Sequence, residues 1–153
     1  MRMAMIGLGK MGGNMVRRLR RGGIEVVGYD RAPEMVAQLA AEEGMLAATS
    51  VEDAVAQLSG TRVVGLMLPS GDPTEQQIRT LAPLLSKGDI IVDGGNSNYH
   101  DSQRRGAWLA EDGIGFMDSG TSGFLFLPPC SGQLSAKYEK KTCFVLSLLK
   151  AEG

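Results

Sequence analysis

The sequence predicts an α/β fold in which helices cover both faces of a doubly wound, mostly parallel β-sheet. Over the first 123 residues, short apolar segments alternate with longer segments whose apolar residues recur at helical spacing. The central apolar segments, such as residues 63–68, are continuously apolar, as expected for strands that are buried on both faces. Strand followed by helix, repeated along a chain, is typical of a parallel sheet with crossover helices.

Each predicted element has a local signal in the sequence. Strands are predicted at residues 3–6, 25–28, 63–68, 90–92 and 115–117, and helices at Lys10–Arg21, Pro33–Glu43, 51–58, 73–85 and Tyr99–Glu111. Gly22 and Gly23 end the first helix, and the second helix stops before Gly44. The third helix follows Ser50, an N-cap residue with Asp53 three positions further on.

Composition and charge indicate one ordinary globular domain. Of the 153 residues, 43% are hydrophobic and 22% are charged, with sixteen basic residues against seventeen acidic ones. A formal charge of -1 offers no basic surface to nucleic acid or to an anionic membrane. No apolar stretch approaches the roughly 20 residues of a membrane-spanning helix, and the first residues lack the pattern of a signal peptide. We therefore expect a cytoplasmic protein that binds neither nucleic acid nor membrane.

Few side chains are available for a metal site. Cys130 and Cys143 are the only cysteines, and His100 is the only histidine. A Cys/His zinc site needs four ligands, so no metal is expected. The two cysteines could pair, but without an export signal we expect reduced thiols.

Amino-acid usage changes abruptly near residue 124. Residues 1–123 contain ten Arg, two Lys and no Cys, whereas residues 124–153 contain four Lys, both Cys and neither Arg nor Asp. Residues 124–153 are too few to form an independent hydrophobic core. The sequence thus predicts a domain over residues 1–123 and a divergent tail over residues 124–153. We expect the tail to pack poorly, because Pro128 and Pro129 interrupt the apolar residues 124–127.

A glycine motif follows the first predicted strand. It consists of Gly7, Leu8, Gly9, Lys10, Met11 and Gly12 and matches G-x-G-x-x-G at the opening of the first helix. Gly7 would permit the tight turn, Gly9 would let the backbone approach a pyrophosphate, and Gly12 would let helix and strand pack closely. The helix N-terminus would then present N–H groups to the anion. The alternative is a plain strand-to-helix turn.

An acidic residue completes the pattern of a dinucleotide site. Asp30 stands 18 residues after Gly12, at the end of the second predicted strand, where a carboxylate accepts from the adenosine ribose hydroxyls. Together with the glycine motif it predicts a Rossmann-type site. Asp30 favours NAD because a carboxylate repels a 2′-phosphate, but Arg31 could bind that phosphate, so NADP stays possible. The non-functional interpretation of Asp30 and Arg31 is a solvated turn pair.

Two further motifs follow predicted strands. Leu68, Pro69 and Ser70 begin the segment Leu-Pro-Ser-Gly-Asp-Pro, and Asn96 lies within Asp-Gly-Gly-Asn-Ser. Ligands of open α/β sheets bind outside the carboxyl ends of the strands, and the Asn96 amide can both donate and accept there. Both segments could instead be simple turns, since Pro and Gly are common in turns. His100 is predicted on a helix surface and Trp108 in the core.

Five segments occur in a fixed order along residues 1–123: GLGKMGGNMVRRL, YDR, MLPSGDP, DGGNSNYHDSQRR and FMDSGTSG. Their series resembles the N-terminal coenzyme domain of the 6-phosphogluconate dehydrogenase family, in its shorter bacterial-type form. The wider β-hydroxyacid dehydrogenase group shares GLGxMG and a later SGG. DGGNS, followed by Tyr99 and a helix with Arg104 and Arg105, is similar to the phosphogluconate branch.

The resemblance implies an activity and a set of site residues. The family oxidises 6-phosphogluconate with NADP or NAD and decarboxylates it to ribulose 5-phosphate. The resemblance implies that the glycine motif holds the pyrophosphate. It implies Asp30, Arg31 and Ala32 at the adenosine end, Leu68, Pro69 and Ser70 at the nicotinamide, and Asn96 at both coenzyme and substrate. Ser122 and Gly123 would begin the substrate loop Ser-Gly-Gly, in which Phe124 replaces the second glycine.

The family's acid–base residues have no counterpart after Gly123. In the family they lie on a helix reading Lys-x-x-x-Asn-x-x-Glu, whereas no Asn follows Asn98 here. The helical domain that supplies the family's dimer contacts and phosphate-binding residues has no counterpart either. Since oriented acid–base groups supply much of such catalysis, we expect the isolated chain to bind coenzyme without turnover.

Three interpretations stay open. The chain is the coenzyme domain of a 6-phosphogluconate dehydrogenase whose reading frame is broken or truncated at Gly123, or it is a non-catalytic module that binds or senses NAD. The third interpretation is a related hydroxyacid reductase that takes its acid–base residues from a partner chain.

Overall fold

The computed structural model describes residues 1–119. This part of the chain ends directly after the last strand of the sheet, which finishes at Asp118. The predictions for Ser122, Gly123, Cys130, Cys143 and residues 124–153 lie outside the described residues.

Within residues 1–119, six parallel strands form one sheet, which confirms the predicted α/β class. Their bounds are β1 Arg2–Ile6, β2 Glu25–Tyr29, β3 Leu46–Ala47, β4 Val63–Leu66, β5 Ile90–Asp93 and β6 Gly115–Asp118. The strands are ordered β3-β2-β1-β4-β5-β6 across the sheet. The order reverses between β1 and β4, and this doubly wound arrangement opens a crevice at the carboxyl ends of those strands.

Five α-helices lie in the same part of the chain and cover the sheet on both faces. Their bounds are α1 Lys10–Arg21, α2 Pro33–Glu43, α3 Val51–Ala56, α4 Asp72–Leu81 and α5 Tyr99–Glu111. Buried residues of α1 and α2 pack with Met3 and Met5 of β1, whereas those of α3, α4 and α5 pack with Ala4 and Ile6. Alternate residues of β1 therefore enter opposite layers of the core, as the two-residue period of a strand requires.

The strand register brings several strand ends to one edge of the sheet. Ile6, the last residue of β1, lies opposite Tyr29 of β2 and Leu66 of β4. Leu66 lies opposite Asp93 of β5, which in turn lies opposite Asp118 of β6. The loops that follow these strands consequently begin side by side.

Several helices begin or end at the capping residues that the sequence indicates. The Asp53 N–H donates to Ser50 Oγ over 3.0 Å, which confirms the predicted N-cap of α3. Gly44 ends α2 in the left-handed conformation with φ of 63°. The Gly22 and Gly23 pair ends α1, and Gly23 has φ of 81°.

Three predicted boundaries were wrong by two residues or more. Helix α4 ends at Leu81 instead of residue 85, because Pro83 has no N–H to continue the helical ladder and a 3-10 turn at Ala82–Leu84 follows. Helix α3 ends at Ala56, where the Leu58 N–H bonds to Val55 and tightens the last turn. Strand β4 ends at Leu66, two residues earlier than predicted, because its partner strands β1 and β5 end opposite Leu66, at Ile6 and Asp93.

One strand was missed and one core residue was misassigned. Strand β3 consists of two exposed residues, too few to show any periodicity in the sequence. Trp108 is half-buried at the margin of the core, and the Arg79 guanidinium lies 5.5 Å from its ring centroid. The neighbouring Leu109 is fully buried, while His100 is exposed as predicted.

Candidate functional site

The glycine loop, residues 7–12, joins β1 to α1 in a conformation that its glycines permit. Gly7 has φ of 91°, and a Cβ there would lie 2.6 Å from the carbonyl oxygen of Met67. A Cβ on Gly12 would lie 1.9 Å from the carbonyl oxygen of Gly7, so the helix and the loop are in close contact. A Cβ on Gly9 would meet nothing within 4 Å. Gly9 therefore faces open space.

The N-terminus of α1 is open toward the same space. Gly9 is the N-cap, no described side chain caps the helix, and its first turn contains no acidic residue. Lys10 and Met11 are exposed beside it, whereas the Leu8 side chain is fully buried and can offer a ligand only its backbone. Uncapped N–H groups and the positive end of the helix dipole favour an anion here. These residues fit the pyrophosphate of a dinucleotide.

Asp30 ties the end of β2 to this loop. Its Oδ2 accepts from the Leu8 N–H over 2.6 Å, and its Oδ1 accepts from the Ala32 N–H over 2.9 Å. Each carboxylate oxygen can accept more than one hydrogen bond, so acceptor capacity is left for ribose hydroxyls. Arg31 is exposed at the adjacent position.

A second wall of the crevice comes from the segment after β4, residues 68–71, which we call the first rim segment. Leu68 packs partly against the core, while Pro69 and Ser70 are exposed. The buried Thr74 hydroxyl donates to the Pro69 carbonyl over 2.9 Å and fixes the segment to α4.

The third wall is the segment after β5, residues 94–97, which we call the second rim segment. The two rim segments touch, since a Cβ on Gly95 would lie 2.3 Å from the Leu68 carbonyl oxygen. Asp93 is buried and accepts from the Gly95 N–H over 2.9 Å and from the Ser97 hydroxyl over 2.5 Å. Asn96 stands exposed between those two residues in the left-handed region, with φ of 59°. Its amide is therefore presented on a fixed backbone.

A buried arginine joins the two rim segments. Arg105 of α5 is 1% exposed, and its Nε donates to Glu75 over 2.8 Å. Its Nη1 donates to Ser97 Oγ over 3.1 Å, and Nη2 donates to the Gly71 carbonyl over 3.4 Å. The guanidinium also lies 3.6 Å from Asp93 Oδ2. One side chain thus contacts α4 and both rim segments.

Two carboxyl groups near this arginine have shifted pKa values. The hydrogen-bonded Arg104 guanidinium, with Arg105 beside it, lowers the pKa of Glu75 from 4.5 to about 2, despite partial burial. Burial raises the pKa of Asp118 above its usual range, although the Ser102 hydroxyl donates to it. Glu75 is therefore a fixed anion at neutral pH, as a partner of Arg105 must be.

The structure brings those predicted site residues that lie within residues 1–119 to one edge of the sheet. The glycine loop and Asp30 form one side, and Leu68, Pro69, Ser70 and Asn96 lie on the rim segments. The predictions from sequence missed Arg105, Glu75 and Thr74. A signal was present, because Ser102, Arg105 and Leu109 recur at helical spacing on one face of α5, and a helix buries one face.

Neither a metal site nor a membrane span is found among residues 1–119. No group of three or more His, Cys, Asp or Glu side chains in that range could hold a metal ion. None of the helices in that range is long and apolar enough to cross a bilayer.

The strand order, the uncapped helix behind a glycine loop and the acidic residue ending β2 define the dinucleotide-binding class of α/β domains. Residues 2–124 match the family described as the NAD binding domain of 6-phosphogluconate dehydrogenase. The chain belongs to this family, so the predicted resemblance is confirmed. The expected coenzyme class, a nicotinamide dinucleotide, agrees with the family's description.

Individual relatives agree with the family match. The decarboxylating 6-phosphogluconate dehydrogenase of Haemophilus influenzae is 44% identical over 122 residues, which are 77% of this chain and 25% of that protein. The chain spans about a quarter of the length of the curated relatives that it matches.

Solved structures share the fold. Plasmodium falciparum 6-phosphogluconate dehydrogenase superposes with a TM-score of 0.71 at 29% identity, over 80% of this chain and 28% of that one. Mycobacterium tuberculosis 3-hydroxyisobutyrate dehydrogenase gives a TM-score of 0.71 at 28% identity, over 80% of this chain and 40% of that one. The same domain therefore occurs in more than one kind of hydroxyacid dehydrogenase.

Proposed function

We propose that residues 1–123 are the coenzyme-binding domain of a 6-phosphogluconate dehydrogenase and that NAD is preferred over NADP. The observation that carries the proposal is the contact between Asp30 Oδ2 and the Leu8 N–H at 2.6 Å. It holds a carboxylate beside the glycine loop, where the adenosine ribose of a dinucleotide lies when its pyrophosphate sits on α1. A negative charge at this point opposes a 2′-phosphate.

Each part of the coenzyme has a proposed set of residues. The glycine loop, with Gly7, Leu8, Gly9, Lys10, Met11 and Gly12, surrounds the pyrophosphate, which accepts from backbone N–H groups at the start of α1. The N–H groups of Gly7 and Leu8 are bonded to Tyr29 and Asp30 instead. Asp30, Arg31 and Ala32 contact the adenosine end. Leu68, Pro69 and Ser70 line the nicotinamide side, and Asn96 contacts coenzyme and substrate. Ser122 and Gly123 are proposed to contact the substrate as well.

The proposed reaction is that of the family, oxidation and decarboxylation of 6-phosphogluconate to ribulose 5-phosphate. When bound, the coenzyme accepts the hydride. The residues of this chain orient the coenzyme and the substrate, and Asn96 can hydrogen-bond to a substrate hydroxyl because its amide both donates and accepts. We propose that the 153-residue chain alone does not turn over, since no Lys-x-x-x-Asn-x-x-Glu helix follows Gly123.

An activity assay tests this proposal. The chain is mixed with 6-phosphogluconate and NAD or NADP, and reduced coenzyme is followed by absorbance at saturating coenzyme. No formation above background is expected. Reduced coenzyme that appears with the unmodified chain and disappears in Asn96→Ala would mean that a substitute base exists in this polypeptide.

A related β-hydroxyacid dehydrogenase is the second candidate. It is favoured by the equal TM-scores of 0.71 for the 3-hydroxyisobutyrate and 6-phosphogluconate dehydrogenases. The 44% identity to a 6-phosphogluconate dehydrogenase supports the first candidate instead. A chain that binds NAD but neither substrate class would be a binding or sensing module.

We propose a separate provenance for residues 124–153, on the change of composition at residue 124. The DNA downstream of codon 123 can be translated in the other two frames. A second loop glycine followed by Lys-x-x-x-Asn-x-x-Glu in one of them is expected if the frame has shifted. If neither frame contains the second loop glycine and this helix pattern, the proposed frame shift is contradicted.

A further inference from the structure

Arg105 is a buried charge whose hydrogen bonds, within residues 1–119, all go to groups around the crevice. It donates to Glu75 over 2.8 Å, to Ser97 over 3.1 Å and to the Gly71 carbonyl over 3.4 Å. Burying a charge is costly, and a buried ion pair is often no more stabilising than apolar side chains of the same size. A planar guanidinium with several donors instead fixes the positions of its partners relative to one another.

On one side, the geometry that Arg105 fixes is that of the second rim segment. Ser97 Oγ accepts from Arg105 and donates to Asp93, and Asp93 accepts in turn from the Gly95 N–H. Both chain neighbours of Asn96 are thereby held. Asn96 itself has φ of 59°, in the left-handed region, which Asn adopts more readily than most other L-residues.

On the other side, Arg105 fixes the first rim segment. Gly71 ends that segment and provides the carbonyl that Arg105 contacts, while Glu75 anchors the guanidinium to α4. Thr74, between them, holds the Pro69 carbonyl over 2.9 Å. Arg105 therefore bridges the two rim segments, in addition to their direct contact at Gly95 and the Leu68 carbonyl oxygen.

The glycine loop and Asp30 are held independently of Arg105. Asp30 bonds to Leu8 and Ala32, and neither residue is hydrogen-bonded to Arg105. Loss of the Arg105 guanidinium should consequently disturb one half of the crevice and leave the other half intact.

We propose that Arg105 is a positioning residue for the nicotinamide half of the coenzyme, acting by holding the Asn96 segment against the Pro69 segment. The inference rests on the proposed function, because that function assigns the nicotinamide to the two rim segments. The adenosine half binds without it.

The test compares a whole coenzyme with a part of it. Affinities for NADH and for ADP-ribose, which lacks the nicotinamide, are measured by calorimetry, and the nicotinamide emission of bound NADH is recorded at saturation. The variants are Arg105→Met, which removes every donor, and Arg105→Lys, which keeps the charge but cannot reach three acceptors at once. Arg104→Met is the matched control, because Arg104 also pairs with Glu75 but is 53% exposed, and its bonds within residues 1–119 go to α4 and α5 instead of the rim segments.

Arg105→Met should weaken NADH binding by about tenfold relative to ADP-ribose binding. It should also lower the emission of bound NADH toward that of the free molecule. Arg105→Lys should change both quantities in the same direction, and Arg104→Met should leave both within about twofold.

The inference would be overturned if an Arg105 variant lost equal affinity for NADH and for ADP-ribose. It would also be overturned if the emission of bound NADH were unchanged in a folded Arg105→Lys variant. If Arg105→Met does not fold, Arg105→Lys decides alone, since its retained charge still pairs with Glu75. Failure of the proposed function looks different, because the unmodified chain would then bind neither NADH nor ADP-ribose.

Discussion

The Asp30 carboxylate accepts a hydrogen bond from the Leu8 backbone N–H over 2.6 Å, across 22 residues of sequence. This contact joins the two parts of the dinucleotide pattern, the glycine loop and the acidic end of β2. It gives Asp30 two roles, since the same carboxylate also bonds to the Ala32 N–H. A substitution at Asp30 therefore changes loop geometry as well as charge.

Asp30 should determine coenzyme preference. The unmodified chain should bind NAD more tightly than NADP, because the carboxylate repels the 2′-phosphate. Asp30→Asn removes the charge and keeps one acceptor oxygen, so one of the Leu8 and Ala32 N–H groups loses its acceptor. This variant should narrow the difference between the NAD and NADP affinities by about tenfold, which is roughly 1.4 kcal/mol. Asp30→Ala should narrow it too while weakening both affinities, because the Leu8 and Ala32 N–H groups lose their acceptor. Calorimetry with both coenzymes measures this, and tighter binding of NADP to the unmodified chain would contradict the prediction.

Substitutions at two glycines of the loop should have different effects, one on folding and the other on coenzyme binding. Gly12→Ala places a Cβ 1.9 Å from the Gly7 carbonyl oxygen and should destabilise the domain by several kcal/mol. Gly9→Ala meets no atom within 4 Å and should leave the melting temperature almost unchanged, but its methyl group should hinder the pyrophosphate and weaken NADH binding. Thermal unfolding and NADH titration of the two variants provide the comparison. A Gly9→Ala variant with unaltered NADH affinity would argue against a pyrophosphate at this loop.

Glu75 should make stability depend on pH in the acidic range. Its pKa is lowered from 4.5 to about 2 in the folded chain, so the folded state favours the carboxylate. The resulting stabilisation is present above the unfolded pKa and is lost as the pH falls from about 4.5 toward 2. Its upper limit is about 3 kcal/mol at neutral pH. The partner Arg104 is half exposed, so solvent screening reduces this value.

Urea unfolding of the unmodified chain and of Glu75→Gln at pH 7, 4 and 3 measures the effect. The free-energy difference between the two proteins should be largest at pH 7 and should shrink at each lower pH. A difference that is constant across the three values would mean that the Glu75 charge contributes nothing to folding.

The sequence predicted those features that depend on neighbouring residues. The left-handed C-cap at Gly44 and the Ser50 cap with Asp53 are local, because the groups that interact are at most a few positions apart. The break at Pro83 follows an equally local rule, since a missing N–H stops a helix wherever it occurs, although the helix was predicted to continue to residue 85. Strand β3 was not, because two exposed residues paired with β2 carry no pattern of their own.

The contacts of Arg105 at the crevice could be recognised only from the tertiary structure. Arg105 and Glu75 are 30 residues apart, and they meet only because α4 and α5 lie on the same face of the sheet. The spacing of Ser102, Arg105 and Leu109 indicates that Arg105 is buried, yet spacing does not reveal its partners. The same limit applied to Asp93, which the sequence placed in the motif after the fifth strand, interpreted as a ligand-binding segment or a turn. The sequence does not show that Asp93 holds the backbone on both sides of Asn96.

Binding of a nicotinamide dinucleotide by residues 1–123, at the carboxyl edge of the sheet, underlies the proposed function and the proposed role of Arg105. It can be measured by calorimetric titration of the 153-residue chain with NADH. We expect saturable binding at one site, competition by ADP-ribose, and weaker binding in Gly9→Ala at an unchanged melting temperature. Absence of saturable binding to a folded chain, or binding that ADP-ribose does not displace, would show that the crevice is not a dinucleotide site.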